Sequence, residues 1–118
     1  MKCVDPCITQ CIALGAKSYL VNDKNYLKNF ADWDERIRDW LASAEKIELT
    51  PEHLYIIDLL RRLFAKTEKH PVLRMVTTDI TSQFGAERGT VKYFHSLFPG
   101  GLHQAFLIAG LPMQDSCC

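Results

Sequence analysis

Apolar residues recur along most of this chain at intervals of three and four, the spacing that lines one face of a helix. Trp33, Ile37, Trp40, Leu41 and Ala44 form the first such stripe. Asp32 reads as its N-cap, with Glu35 three residues on as a capping-box partner, which predicts a helix near 32–44. Thr50-Pro51-Glu52 is a second helix start: a hydroxyl at the cap, Pro at the first position, an acid in the first turn. The run that follows is apolar on more than one face, so the helix near 51–66 is expected to be the central and most buried one. Arg61 and Arg62 near its end suit the helix dipole, and His53 reads as a surface or first-turn residue. His70-Pro71 breaks the chain. Leu73, Val76, Ile80 and Phe84 then repeat to a stop at Gly85, predicting a helix near 71–84. Thr90 caps another near 90–98, and a short one spans 102–109 after Pro99-Gly100-Gly101. Ahead of all five, Tyr19–Val21 and Tyr26–Leu27 flank Asn22-Asp23-Lys24-Asn25, which reads as a β-hairpin near 18–27. The expected fold is mainly α (α+β). Its core is expected to hold Ile57, Leu60, Leu63, Phe64, Leu73, Val76 and Phe94.

The last stretch, Leu97 to Cys118, changes character. Gly110 after an apolar run is a helix stop, and Pro112 forbids resumption. Met113 to Ser116 show no periodicity, so Cys117 and Cys118 are expected on a mobile arm. The seven steps from Gly110 to Cys117 allow a reach of roughly 25 Å. At the other end, Cys3, Cys7 and Cys11 follow at i, i+4, i+8, one face of a helix if that segment were helical. Zinc pairs use other spacings, and no nearby His completes a set, so no metal or cofactor site is read. Residues 1–15 are taken as a flexible N-terminal extension, and 16–118 as one domain that includes the arm, 110–118.

Composition narrows the partners. Among 118 residues, 14 basic and 14 acidic side chains cancel. A balanced chain argues against a broad surface for nucleic acid or anionic membrane. No apolar run approaches the ~20 residues that span a bilayer, and Asp5, Pro6 and Gln10 interrupt any signal-peptide core. The five cysteines sit at the two ends of the chain, unlike a disulfide framework, which points to a reducing cytoplasm. There is no HExxH, GxSxG, CxxC or P-loop. The segment from Pro71 to Phe98 reads, as a lesser alternative, as a helix-turn-helix-like DNA-binding regulator, with Arg88, Lys92 and His95 on its second member.

Five words of the sequence carry a resemblance: YLKNFADWDERI (26–37), IELTPEHLYII (47–57), HPVLRM (70–75), FGAERGTVKYFHSLFPGG (84–101) and QAFLIAGLP (104–112), followed by Cys117 in the penultimate place. In this order they resemble the DsrC/TusE family, over about residues 16–118. That family comprises the gamma subunit of dissimilatory sulfite reductase and the sulfur-relay protein of tRNA 2-thiouridine synthesis. The resemblance implies a small helical domain with an N-terminal hairpin and an arm whose penultimate cysteine, here Cys117, carries sulfur as a persulfide. It implies sulfur-relay or sulfite-reductase proteins as donor and acceptor. The sulfite-reductase branch has a second cysteine on the preceding helix. That position is Phe106 here, so the single-cysteine pattern is closer to TusE. The chain departs from the family at Met113-Gln114 in place of Lys-Pro, at Gly89-Thr90-Val91, and at Cys118 where an aliphatic residue is usual.

Sulfane sulfur moves by thiolate attack, so a carrier needs an accessible thiol that is at least partly ionised. Asp115 and the terminal carboxylate disfavour a thiolate at Cys117, which suits a carrier that reacts inside a partner's cationic pocket. Arg74 and Lys92 are candidates for docking the arm. Cys118 is a candidate auxiliary thiol, although neighbouring Cα atoms ~3.8 Å apart make a vicinal disulfide strained.

Overall fold

The computed structural model describes residues 10–22 and 24–112. Two strands open the chain: β1 (Gln10–Leu14) and β2 (Lys17–Val21), paired antiparallel with Gln10 opposite Val21 and Leu14 opposite Lys17. The hairpin therefore lies one strand earlier than 18–27. Its turn is the two-residue Gly15-Ala16, with Gly15 at φ +66°, the left-handed backbone that two-residue hairpins favour. The Asn-rich segment does turn: Asn22 Oδ1 accepts the backbone N–H groups of Lys24 and Tyr26. It returns the chain to β2 through one bridge only, Val21 to Leu27. Tyr19 and Val21 point inward and are fully buried, while Leu20 between them is exposed, as strand alternation requires. Cys11 lies on β1, an exposed strand position rather than a helix face; Cys3 and Cys7 fall outside the described residues.

A 3₁₀ turn (Phe30–Asp32) leads into α1 (Glu35–Ala44). The N-cap is Asp34, not Asp32. Its Oδ1 accepts the N–H groups of Arg36 and Ile37 at 3.0 and 3.2 Å, and its Oδ2 accepts Tyr19 Oη–H at 2.5 Å and Lys17 Nζ at 3.2 Å. One carboxylate thus starts the helix and ties it to the hairpin. Burial raises the Tyr19 phenol, helped by Asp34, to a pKa of about 12. Burial also pushes the Asp34 carboxyl up. The hydrogen bonds from Tyr19, Ile37 N–H and Lys17 outweigh that and hold it at about 2.

α2 (Pro51–Thr67) begins at Thr50 as predicted, but its capping-box partner is His53. Nδ1 of His53 accepts from Thr50 N–H at 3.1 Å, so Nε2 carries the proton and donates to Leu97 O at 2.7 Å. This places His53 in the interior, 5 % exposed, where the local pattern suggested the surface. α3 (Leu73–Phe84) runs back along α2, and Tyr55 donates to Asp79 between them. α4 (Val91–Leu97) crosses the start of α2, where Tyr93 donates to Glu52. α5 (Leu102–Ala109) packs on α2 and α1. Every residue from Ala105 to Ala109 is buried, so α5, apolar on every side beyond its first turn, is the innermost helix rather than α2. Ile57, Leu60, Val76 and Phe94 are buried as expected, while Leu63, Phe64 and Leu73 are only partly so, packed on the core's rim. No helix is long and apolar enough to cross a membrane among the described residues.

Candidate functional site

A helix leaves its last four carbonyls without intrahelical donors, and a Gly-Leu-Pro stop leaves the following chain unable to supply many. At the end of α5 each of these carbonyls has a partner. Gly110 sits at φ +76°, ψ 18° and donates to Leu107 O at 3.1 Å; Leu111 donates to Phe106 O at 3.1 Å. That is a Schellman motif, with the buried Leu111 as its apolar contact. The two carbonyls left over are met from elsewhere. Trp33 Nε1 donates to Ile108 O at 2.9 Å, and Arg61 Nη1 donates to Ala109 O at 2.9 Å. Three residues beyond Ala109, His70 Nε2 bonds Pro112 O at 2.6 Å. The root of the C-terminal arm is therefore held from three directions: the entry to α1, the body of α2, and the α2–α3 connection.

These three side chains are themselves held. The Arg61 guanidinium lies over the rings of Phe30 and Trp33, 3.9 and 4.3 Å from their centroids, and Nη2 donates to Phe30 O at 3.0 Å. Burial lowers its pKa, and the stacked rings and two carbonyls replace the water it loses. The His70 ring packs edge-on between Phe64 and Phe106, with centroids 5.3 and 5.0 Å away. Phe106 is 1 % exposed, a packed core site. Cys11 is the lone thiol among the described residues; Cys117 and Cys118, the central site residues of the sequence reading, lie outside them.

Arg74 is exposed on the first turn of α3, four residues beyond His70, in an open groove with Met75, Thr78, Asp79 and Ser82. Lys92 is exposed on α4, next to the Tyr93–Glu52 contact at the far end of α2. The two cations are not brought together. Arg88, which the helix-turn-helix reading grouped with Lys92 and His95, is paired with Glu52 at 3.2 Å, which lowers the free charge of that face for DNA. Among the described residues no three His, Cys, Asp or Glu side chains converge as a metal-ligand set.

Trp33, Arg61 and His70 were legible only as core, dipole and chain break. The signal that points to them is indirect: a helix stopped by Gly-Leu-Pro needs outside donors, and these are N–H-bearing side chains of long reach.

A family model described as "DsrC like protein" matches residues 13–118. The sulfurtransferase TusE of Photorhabdus laumondii is 39 % identical over 95 residues, covering 80 % of this chain and 86 % of that protein. The solution structure of Allochromatium vinosum DsrC superposes with a TM-score of 0.81 at 35 % identity, over 93 % of this chain and 99 % of that one. The oxidised gamma subunit of dissimilatory sulfite reductase from Archaeoglobus fulgidus gives a TM-score of 0.82 at 30 % identity, over 92 % of this chain and all of that one (100 %). With a family match running through the hairpin, all five helices and the clamped end of α5, this chain belongs to the DsrC-like protein family.

Proposed function

We propose that this protein is a sulfur carrier whose Cys117 accepts one sulfane sulfur from a donor persulfide and passes it to a partner's thiol, in a relay of the kind that serves tRNA 2-thiouridine synthesis. The reading rests on family membership through residue 118 and on relatives named as sulfurtransferases. The observation that carries it is the fixed arm root: the backbone is anchored through Pro112, five residues ahead of a cysteine. The Cys117 thiolate attacks the outer sulfur of R–S–SH, the S–S bond breaks, and R–S⁻ leaves with its electron pair. The same step in reverse sense, with the acceptor's thiolate attacking Cys117–S–SH, discharges the carrier without net oxidation. Asp115 opposes ionisation of this thiol, so the partner pocket supplies the positive charge. Transfer of this type belongs in a reducing cytoplasm.

Cys118 acts as an auxiliary thiol. Its attack on the inner sulfur of the Cys117 persulfide would expel hydrosulfide and leave a vicinal disulfide, a strained ring that discourages the loss. A second reading, a partner of dissimilatory sulfite reductase, is favoured by likeness to that enzyme's gamma subunit. Against it stands Phe106, which removes the second thiol of that branch.

The test is uptake of sulfur from inorganic polysulfide, read by intact and peptide mass. One added sulfur, about 32 Da by atomic mass, should map to the C-terminal peptide and vanish in Cys117→Ser. Cys118→Ser should keep uptake and lengthen the adduct's lifetime. Equal labelling of Cys3, Cys7 or Cys11 would mean that reactivity tracks exposure alone, and would refute the assignment.

A further inference from the structure

Transfer between two proteins is bounded by how far a tethered thiol travels from its anchor. The anchor here is Pro112, whose carbonyl is bonded by His70 and whose predecessor, Leu111, is fully buried. Five residue steps separate Pro112 from Cys117. At ~3.3–3.6 Å per step, Cys117 lies within about 18 Å of the anchor in any conformation. A partner whose reactive sulfur meets Cys117 therefore brings its own surface over the ground around Pro112. A standard interface takes about 800 Å² on each side, a disc of roughly 16 Å radius.

The first turn of α3 falls within such a disc. Val72 follows His70 by two residues, so its Cα is at most about 7 Å from that of His70. Val72 is 58 % exposed and Met75 43 %, the most open large apolar side chains of α3 and its cap. Arg74 stands between them, exposed, and takes part in none of the ion pairs among the described residues. The groove that starts at Arg74 and Met75 continues this surface along α3 to Ser82. Met and Arg are residue types enriched in the centres of protein interfaces.

We propose that Val72, Arg74 and Met75 form the surface on which a sulfur-relay protein docks while Cys117 enters its active site. The partner presents an apolar patch to Val72 and Met75 and a carboxylate to Arg74. This deepens the carrier reading and rests on it.

Two sulfur sources keep the two claims apart. Inorganic polysulfide requires only the thiol, whereas the purified relay complex of a TusE-type system requires the docking surface as well. Loading of the full chain is followed by intact mass against donor concentration. Wild type should load at Cys117 from both. No loading from polysulfide overturns the carrier reading; loading from polysulfide but never from the relay complex overturns the docking proposal. Val72→Asp, Met75→Asp and Arg74→Glu, all at exposed positions, should load from polysulfide at the wild-type rate. With the relay complex each should raise KM by about ten-fold and change kcat by less than about two-fold. Arg74→Lys should retain most of the affinity, and added salt should narrow the gap between wild type and Arg74→Glu. Val91→Asp, on α4 at the other end of α2 and 49 % exposed, should match wild type with both donors. The proposal fails if Met75→Asp and Arg74→Glu titrate the relay complex as wild type does, or if Val91→Asp weakens it equally.

Discussion

Gly110 is the position where one methyl group tests the whole arm root. Its φ of +76° costs an alanine about 1–2 kcal/mol in strain. A Cβ there would also stand 2.2 Å from Trp33 Cδ1 and 2.8 Å from Cγ. The indole must swing aside, abandoning its hydrogen bond to Ile108 O and its place against Arg61. A buried carbonyl left unpaired costs about 1–3 kcal/mol, and the lost cation–π contact about 0.5–2 kcal/mol. Together the effect of Gly110→Ala is roughly 2.5–7 kcal/mol, a large share of the 5–15 kcal/mol of a typical domain. Urea unfolding followed by tryptophan fluorescence is the assay. With m near 1–3 kcal/mol/M for a chain of this size, the midpoint should fall by at least about 1 M. In a Trp33→Ala background the ring clash is gone and only the 3.1 Å approach to the Cβ at position 33 remains, so Gly110→Ala should cost little beyond the backbone strain of about 1–2 kcal/mol. A loss under about 1 kcal/mol in the native background, or the same loss in both, would refute the clamp as described.

Other consequences are as direct. Arg61→Lys keeps the charge but cannot donate to Ala109 O and Phe30 O together, so it should lose about 1–3 kcal/mol in the same assay; unchanged stability would mean that these bonds are incidental. Leu60→Ala, at a fully buried site on α2, should cost about 2–5 kcal/mol, and a loss below about half a kcal/mol would contradict its place in the core. Asp34 has a folded-state pKa of about 2, below its unfolded value, so its contribution is fully present above about pH 4–5 and is lost as pH falls through about 2. Urea midpoints measured from pH 7 to pH 2 should therefore fall more steeply for wild type than for Asp34→Asn; parallel curves would rule this out.

What was legible in the sequence was local. Thr50, Pro51, Thr90 and Gly110 mark helix ends through bonds to their own neighbours, and those ends are where they were expected. The apolar stripes found the five helices because burial repeats with the helical period. The hairpin went astray because Asn22 and Asn25 advertise a turn more loudly than Gly15-Ala16. β1 is also only five residues long, with Gln10 and Cys11 opening a weak strand signal. Asp34 displaced Asp32 as the cap because Tyr19 and Lys17 reach it from the hairpin, a tertiary fact. The same holds for His53, Arg61 and His70. Their decisive partners lie 44, 48 and 42 residues away, beyond any reading of nearby residues. Of the arm root, the Gly110 stop was readable in the chain; the side chains that hold it were not.

All four tyrosines of the chain are used as fasteners, which has a chemical consequence. Tyr19 joins the hairpin to α1 through Asp34, Tyr55 joins α2 to α3 through Asp79, Tyr93 joins α4 to α2 through Glu52, and Tyr26 donates to His103 O at 3.2 Å. Each phenol is raised above its ordinary pKa, so the absorbance change of phenolate formation should come at higher pH than for free tyrosine. Phosphorylation, which places a near-dianion on the phenol oxygen at neutral pH, would set like charges face to face at three of these joints. For this protein, tyrosine chemistry that leaves most surfaces merely decorated would loosen the framework that holds the arm's root.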